Sequence, residues 1–186
     1  METVMYTFQR IDFPEDTEFL VDFLLSETWP FHAGAPHKAD KEKMMLAHAQ
    51  NTPEKEYFWI VNQDHEKVGY FKLFDLDDIG DGHPLFDLRI ASAHRGKGIG
   101  EMAVRWLSHY LFEKWPELHY IQGTTRDDNI AMRKVFLRCH YVKEGHIRKG
   151  WDDQHDAILY GLLREDWESG IITPVNWDDE HFNKKR

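Results

Sequence analysis

A strand, a glycine-rich turn and a helix follow one another between residues 86 and 111. Apolar Phe86, Leu88 and Ile90 alternate with polar Asp87 and Arg89, a pattern typical of a β-strand with one buried face. Beyond the turn, apolar residues recur at helical spacing: Ile99, Met102, Ala103, Trp106, Leu107, Tyr110 and Leu111. The chain must therefore change from strand to helix within a few residues, and this restricts the folds it can adopt.

The turn between the strand and the helix has the composition of an anion site. Gly96, Gly98 and Gly100 allow the backbone to approach a ligand closely, and Arg95 and Lys97 add positive charge. The first N–H groups of a helix have no acceptor within the helix. Together these features predict a nest for an anion and favour a phosphate.

Three nucleotide-binding motifs can be compared with this turn. A P-loop requires Lys and then Ser or Thr after its second glycine, whereas Glu101 follows Gly100. A dinucleotide fingerprint requires a buried apolar strand and an acidic residue about 20 residues further on, and residues 121–124 contain no carboxylate. The R-x-x-G-x-G pattern fits residues 95–100.

This pattern resembles motif A of the GCN5-related N-acetyltransferases (GNAT), which bind the pyrophosphate of acetyl-CoA. The segment from Asn129 to Phe136 is similar to the helix that follows strand five in that family. Residues 141–145 and 158–167 look like the closing strands of its ribosomal-protein N-terminal and aminoglycoside 6′-acetyltransferase branch.

The element order predicted from the patterns, β-α-α-β-β-β-α-β-α-β-β, agrees with the resemblance. It implies an α+β fold of the three-layer α/β type, in which helices flank a mixed central sheet. We expect one GNAT-like domain over residues 1–168 and a C-terminal tail over residues 169–186.

The resemblance also implies a cosubstrate and a reaction. Acetyl-CoA would donate its acetyl group to a primary amine, in a small molecule or at a peptide N-terminus, by direct attack. The residues expected to bind acetyl-CoA belong to the central strand, the glycine turn and the start of the later helix: Leu88, Ile90, Arg95, Gly96, Lys97, Gly98, Ile99, Gly100 and Asn129.

The acceptor amine must lose a proton, so the reaction requires a base. Asp87, on the polar face of the central strand, is the first candidate and Glu144 is the rival. A pairing of Asp87 with Arg89 or Lys72 on the sheet surface is the structural alternative. Trp29, Phe31 and His32 are expected to line the acceptor pocket, although Trp29 and Phe31 could equally anchor their loop in the core.

Two other classes of function are compatible with the sequence. Many family members carry a tyrosine seven residues after the asparagine, as general acid, where this chain has Phe136. A CoA-binding regulatory module without turnover is therefore one alternative. A binding protein that presents Trp29, Phe31 and Tyr57 as an aromatic ligand surface is the other.

The composition of the chain argues against several kinds of partner and site. A formal charge of −10 disfavours nucleic acid and anionic membranes as partners, and no run of residues approaches membrane-spanning length. We predict no metal site, because the acidic loop after residue 74 lacks the glutamate of a calcium-binding EF-hand. A single cysteine, Cys139, indicates a reducing compartment, and we expect a cytoplasmic protein, with a homodimer left open.

Overall fold

The computed structural model describes residues 5–32, 40–47, 52–77, 79 and 83–177. The chain forms two compact units, Met1–Leu118 and His119–Arg186. Each unit is built around its own antiparallel sheet.

The first unit contains a four-stranded sheet in the order β1-β2-β3-β4. Its strands and helices are β1 (Thr7–Arg10), α1 (Thr17–Ser26), α2 (Lys41–Ala47), β2 (Glu56–Val61), β3 (Lys67–Phe74), β4 (Leu85–Ile90) and α3 (Ile99–Lys114). A 3₁₀ turn, Ser92–His94, lies between β4 and α3.

Helices cover both faces of this sheet, because β2 is apolar on both. Trp59 and Tyr70 pack into one core cluster with Leu20 and Leu24 of α1. On the opposite face, Phe58 contacts the Trp106 ring of α3 at a centroid distance of 5.2 Å. The first unit is therefore a helix–sheet–helix sandwich, which confirms the predicted three-layer arrangement.

The second unit contains a three-stranded sheet in the order β5-β7-β6. Its elements are β5 (Tyr120–Arg126), α4 (Ile130–Arg138), β6 (Val142–Ile147), β7 (Ala157–Leu163) and α5 (Arg164–Ser169). Phe136 of α4 stacks on Tyr160 of β7 at a centroid distance of 4.8 Å. Gly123 of β5 leaves room for the Phe136 ring, because any Cβ at that position would collide with it.

The α+β class and the predicted element order are confirmed, with the short α5 in addition. The sheet differs from the expected one. Instead of a single mixed sheet, the described residues form two sheets in which all pairings are antiparallel. The short β2–β3 and β3–β4 connections favour antiparallel pairing, because a parallel pair needs a long crossover.

Within the described ranges, no helix is both long and apolar enough to cross a membrane.

Candidate active site

Strand β4 is the last strand of the first sheet, so one of its edges carries no neighbouring strand of that sheet. The N–H of Ala91 donates to Val68 O of β3 at 2.9 Å. Because backbone groups alternate sides along a strand, those of Leu88 and Ile90 point to the opposite, open edge. These are the two strand residues that the sequence predicted to contact acetyl-CoA.

Side chains from elsewhere in the unit reach the two carbonyls of this open edge. Nε2 of His32 lies 3.1 Å from Leu88 O, and Nε of Arg95 donates to Ile90 O at 2.8 Å. The carbonyls are thus occupied by protein donors. The N–H groups of the same residues point in the same direction as their carbonyls and are the donors that the edge can offer to a ligand.

The turn after β4 is held by Glu27, which the sequence analysis did not single out. Both carboxylate oxygens of Glu27 accept from the N–H of Ser92 at 2.9 Å, and one also accepts from Nη2 of Arg95 at 3.2 Å. Glu27 and Arg95 are 68 residues apart in the chain, so no local pattern could have revealed this contact. Arg95, predicted to bind phosphate, also holds the turn against β4.

The glycine turn has the geometry of an anion nest. Gly96 and Gly98 adopt left-handed φ angles of 75° and 82°, which glycine tolerates best. Gly98 is the N-cap of α3 and offers no side chain to the first helical N–H groups. Nothing within 4 Å would meet a Cβ at Gly96 or Gly98, so a phosphate can approach the backbone. The turn therefore fits the pyrophosphate of acetyl-CoA.

Asp87 lies on the helix α1 face of β4 with 24% of its side chain exposed. It accepts from Nη2 of Arg89 at 2.9 Å, and His32 Nε2 lies 3.1 Å from its other oxygen. Tyr70 donates a long hydrogen bond of 3.4 Å. Burial raises the pKa of Asp87, but the hydrogen bonds from His32 and Arg89 and the Arg89 charge outweigh it and lower the pKa to about 2.

The loop after α1 brings His32 to this carboxylate. Trp29 anchors the loop: it is only 3% exposed, and its indole N–H donates to Leu24 O at 2.8 Å. Phe31 and His32 are half-buried. Contact with the acceptor amine thus stays a prediction for Phe31 and His32, whereas Trp29 has the anchoring role that was its alternative.

The structure brings together several of the predicted residues. Asp87, His32, Leu88 and Arg95 form one connected set within the first unit. Arg89 is 10% exposed and is paired with Asp87. The alternative that Asp87 pairs with Arg89 is therefore what the structure shows.

Two predicted site residues belong to the second unit. Asn129 is the N-cap of α4: its side chain accepts from the N–H of Met132 at 3.2 Å and donates to Thr125 at 3.1 Å. Glu144 accepts from the Tyr120 hydroxyl at 2.6 Å. Their roles toward acetyl-CoA and the acceptor stay predictions.

One group of potential metal ligands in the second unit was not predicted from the sequence. Ligand atoms of Asp127, Asp128 and His155 lie within 4.8 Å of one another. Nε of Arg126 pairs with Asp128 at 2.6 Å, so a cation already neutralises part of the group.

The aromatic ligand surface proposed as an alternative function is not formed. Trp29 and Tyr57 are 3% and 4% exposed and belong to the core of the first unit. Their rings pack against protein and offer no exposed stacking platform.

Comparison with known families agrees with the fold and with the turn. The acetyltransferase (GNAT) domain family matches residues 8–142, which is more than half of the chain. The chain therefore belongs to the acetyltransferase (GNAT) domain family. This membership confirms the family, the acetyltransferase class and the cosubstrate acetyl-CoA that the sequence predicted.

Two curated relatives are named as N-acetyltransferases. An uncharacterised N-acetyltransferase of Methanocaldococcus jannaschii is 30% identical over 102 residues, which are 55% of this chain and 63% of that protein. YdaF of Bacillus subtilis, provisionally named a ribosomal N-acetyltransferase, is 27% identical over 83% of this chain and 90% of its own.

Solved structures show the same fold. The spermidine N-acetyltransferase SpeG of Vibrio cholerae, in complex with CoA and spermine, has a TM-score of 0.70 and 19% identity. That comparison covers 88% of this chain and 98% of SpeG. A dodecameric structure of the same enzyme also has a TM-score of 0.70, at 18% identity over 89% of this chain and 98% of that one.

Proposed function

We propose that this protein transfers the acetyl group of acetyl-CoA to a primary amine, in a small molecule or at a peptide N-terminus, by direct attack of the amine. One observation carries the proposal: the open edge of β4 is followed, after the 3₁₀ turn, by a glycine turn that caps α3. Residues 1–168 would form the catalytic domain and residues 169–186 a tail.

The open edge and the turn divide the binding of acetyl-CoA between them. The N–H groups of Leu88 and Ile90 would hold the acyl-bearing arm and polarise its carbonyl, which gains negative charge during attack. Backbone N–H groups from Gly96 to Gly100 would hold the phosphates, and the exposed Lys97 would add charge. Asn129 would contact the pantetheine arm. The bound cosubstrate supplies an activated thioester.

The acceptor would lie on the helix α1 side of β4, against Phe31 and His32. The formal charge of −10 favours a cationic acceptor. SpeG, which was solved with spermine, and YdaF, named for ribosomal substrates, suggest polyamines and protein N-termini as the first amines to examine. A homo-oligomer and a cytoplasmic location belong to the same proposal, the latter supported by the single cysteine.

The test is a mass-spectrometric acetylation screen of polyamines, aminoglycosides and peptide N-termini with acetyl-CoA. We expect a mass increase of one acetyl group on at least one amine class, with release of free CoA. A protein that binds acetyl-CoA but acetylates no member of the panel would contradict the proposal.

A matched pair of variants tests the anion nest. Gly98→Asp places a carboxylate beside the phosphates, whereas Gly98→Asn has nearly the same shape and no charge. Both residues tolerate the left-handed backbone better than most, so the strain is similar. By calorimetry, Gly98→Asp should lose acetyl-CoA affinity by about 10-fold more than Gly98→Asn, because like charges repel. Equal affinities in the two folded variants would disprove the nest.

A regulatory module that binds CoA without turnover is the second candidate, and Phe136 favours it. Phe136 is buried between Tyr141 and Tyr160 and has no hydroxyl to donate a proton to the CoA thiolate. Tight binding of acetyl-CoA without any acetylated product would favour this module over the enzyme.

A further inference from the structure

His32 makes two contacts that fix the protonation of one ring nitrogen. Nε2 lies 3.1 Å from Leu88 O and 3.1 Å from Oδ1 of Asp87. A backbone carbonyl can only accept a hydrogen bond, so Nε2 must carry the hydrogen. In the neutral ring, Nδ1 then carries the lone pair.

Nδ1 of His32 is the ring nitrogen that this arrangement leaves unpaired among the described residues. It is buried, and it has no hydrogen-bond partner among the residues that the structure describes. Buried polar atoms are nearly always paired in native proteins. His32 contacts the open edge of β4 through Leu88 O, so the unpaired lone pair on its other nitrogen points to a partner supplied by a substrate.

Asp87 is poorly suited to be the base itself. A carboxylate whose pKa is held near 2 by Arg89 and His32 takes up a proton only weakly at neutral pH. Its two oxygens are already engaged by Arg89, His32 and Tyr70. Its contact with Nε2 is instead the contact that orients an imidazole.

We propose that His32 is the general base of the acetyl transfer, and that Asp87 is a positioning residue that fixes its tautomer and stabilises its charged form. This inference rests on the proposed function and deepens it. It transfers the role predicted for Asp87 to a residue that the sequence had assigned to the acceptor pocket.

Attack by the amine forms one bond and breaks another. The lone pair of the amine nitrogen forms the new C–N bond, and the C–S bond breaks with its electron pair on sulfur. The proton that nitrogen loses goes to Nδ1, while Nε2 keeps its hydrogen on Leu88 O and Asp87. The imidazolium then returns its proton to solvent or to the thiolate.

Charged and titratable groups of three strands surround His32 and Asp87. Asp87 faces His32 directly, and Arg89 neutralises the far side of Asp87. Lys72 of β3 lies opposite Asp87 in the register, and burial, followed by the nearby Lys55, lowers its pKa. Tyr57 and Tyr70 face Asp87 as neutral hydroxyls, because burial and then the Asp87 charge raise the pKa of both.

The loop side adds one further ion pair. Trp29, whose ring lies 6.2 Å from that of His32, has the Arg95 guanidinium over its face. Arg95 is itself paired with Glu27 at 3.2 Å. Asp87 is therefore the one carboxylate in direct contact with His32 among the described residues.

His32→Gln is the decisive variant. The glutamine amide can take the place of Nε2 and donate to Leu88 O and Asp87, but it has no basic nitrogen. We expect kcat to fall by about 10²–10⁴-fold, with the KM for acetyl-CoA nearly unchanged. The limb of the kcat profile that falls at acidic pH should differ between wild type and variant, because it reports the base.

The second unit offers a matched control. His146 and Asp156 form another histidine–aspartate pair, at 2.7 Å, on an exposed hairpin. His146→Gln makes the same chemical change and should leave kcat and the pH profile as in the wild type.

The outcomes separate the two proposals. If wild type acetylates no amine, the proposed function fails; if wild type and His32→Gln have similar kcat values and pH profiles, only the role of His32 fails. If His32→Gln does not fold, Asp87→Asn decides. Loss of the carboxylate should move the acidic limb to lower pH, and an unmoved limb would overturn the proposal.

Discussion

Two carboxylates on opposite faces of the first sheet show how similar ionic networks can serve different ends. Glu56 of β2 has 7% of its side chain exposed and accepts from Arg10, Tyr110 and Lys114, at 2.9, 2.7 and 2.5 Å. Asp87 of β4 has 24% exposed and contacts Arg89, His32 and Tyr70. Each carboxylate thus has three side-chain partners.

The difference lies in what the partners can still do. Around Glu56 the donors are two cations and a hydroxyl that stay protonated at neutral pH: burial, and then Glu56, raise the pKa of Tyr110. Around Asp87 one partner is a histidine, whose imidazole can both donate and accept a proton, and its second nitrogen is unpaired among the described residues. A network in which every donor and acceptor is hydrogen-bonded stabilises the fold, whereas a network that contains an unpaired nitrogen lone pair can also accept a proton.

The largest expected effect that separates the two networks is on turnover. Asp87→Asn keeps the shape and an acceptor oxygen but removes the charge that stabilises protonated His32. We expect kcat to fall by about 10²-fold and to recover in part at high pH, where free amine accumulates. Steady-state kinetics across pH measure this.

Glu56→Gln is the control for that experiment. It makes the same chemical change on the other face of the sheet, and it should leave the shape of the pH–rate profile unaltered. If both variants altered the profile alike, the distinction between the two networks would be lost.

The sequence predicted the backbone of this site but not its side-chain partnerships. Alternation along residues 86–90 and the glycines at 96, 98 and 100 determine the strand and the turn through local rules, and these were predictable. The contact between Glu27 and Ser92 joins residues that are 65 positions apart in the chain, and that between His32 and Leu88 joins residues 56 positions apart. No local periodicity encodes such contacts.

Asp87 shows most clearly what could not be predicted from the sequence. Its place on the polar face of β4 was predictable, and so was the chance of a pair with Arg89. Its protonation behaviour depends on His32, which a loop anchored by buried Trp29 brings to it. The assignment of the base therefore required tertiary structure.

The second prediction concerns stability. Glu56→Gln leaves Arg10 and Lys114 without their carboxylate next to a buried strand, and an unpaired charge is costly there. Because Arg10 and Lys114 are 55% and 37% exposed, solvent compensates in part, and we expect a loss of about 2–3 kcal/mol in the free energy of unfolding. Urea unfolding measures it. If Glu56→Gln lost less stability than Asp87→Asn, the Asp87 network would be the more important of the two for the stability of the fold.

The third prediction is an acid dependence from Asp87. Its pKa falls from an ordinary 3.8 to about 2 on folding, so the ionised form stabilises the native state by about 2 kcal/mol. This contribution is present above the unfolded pKa and is lost as the pH falls from about 4 to 2. In urea unfolding at pH 7 and at pH 2.5, wild type should lose about 1.5 kcal/mol more than Asp87→Asn, because part of the contribution remains at pH 2.5. Parallel losses would show that Asp87 gains little from its partners.

The smallest effect compares one hydroxyl in each network. Tyr110→Phe removes a 2.7 Å hydrogen bond to Glu56, whereas Tyr70→Phe removes a 3.4 Å contact with Asp87. Hydrogen bonds weaken with length, so we expect losses of about 1 kcal/mol and less than about 0.5 kcal/mol, respectively, in the free energy of unfolding. Urea unfolding at pH 7 resolves the difference if both variants share the wild-type m-value. Equal losses would mean that Asp87 depends on its tyrosine as Glu56 does. The Asp87 network would then also contribute to stability as the Glu56 network does.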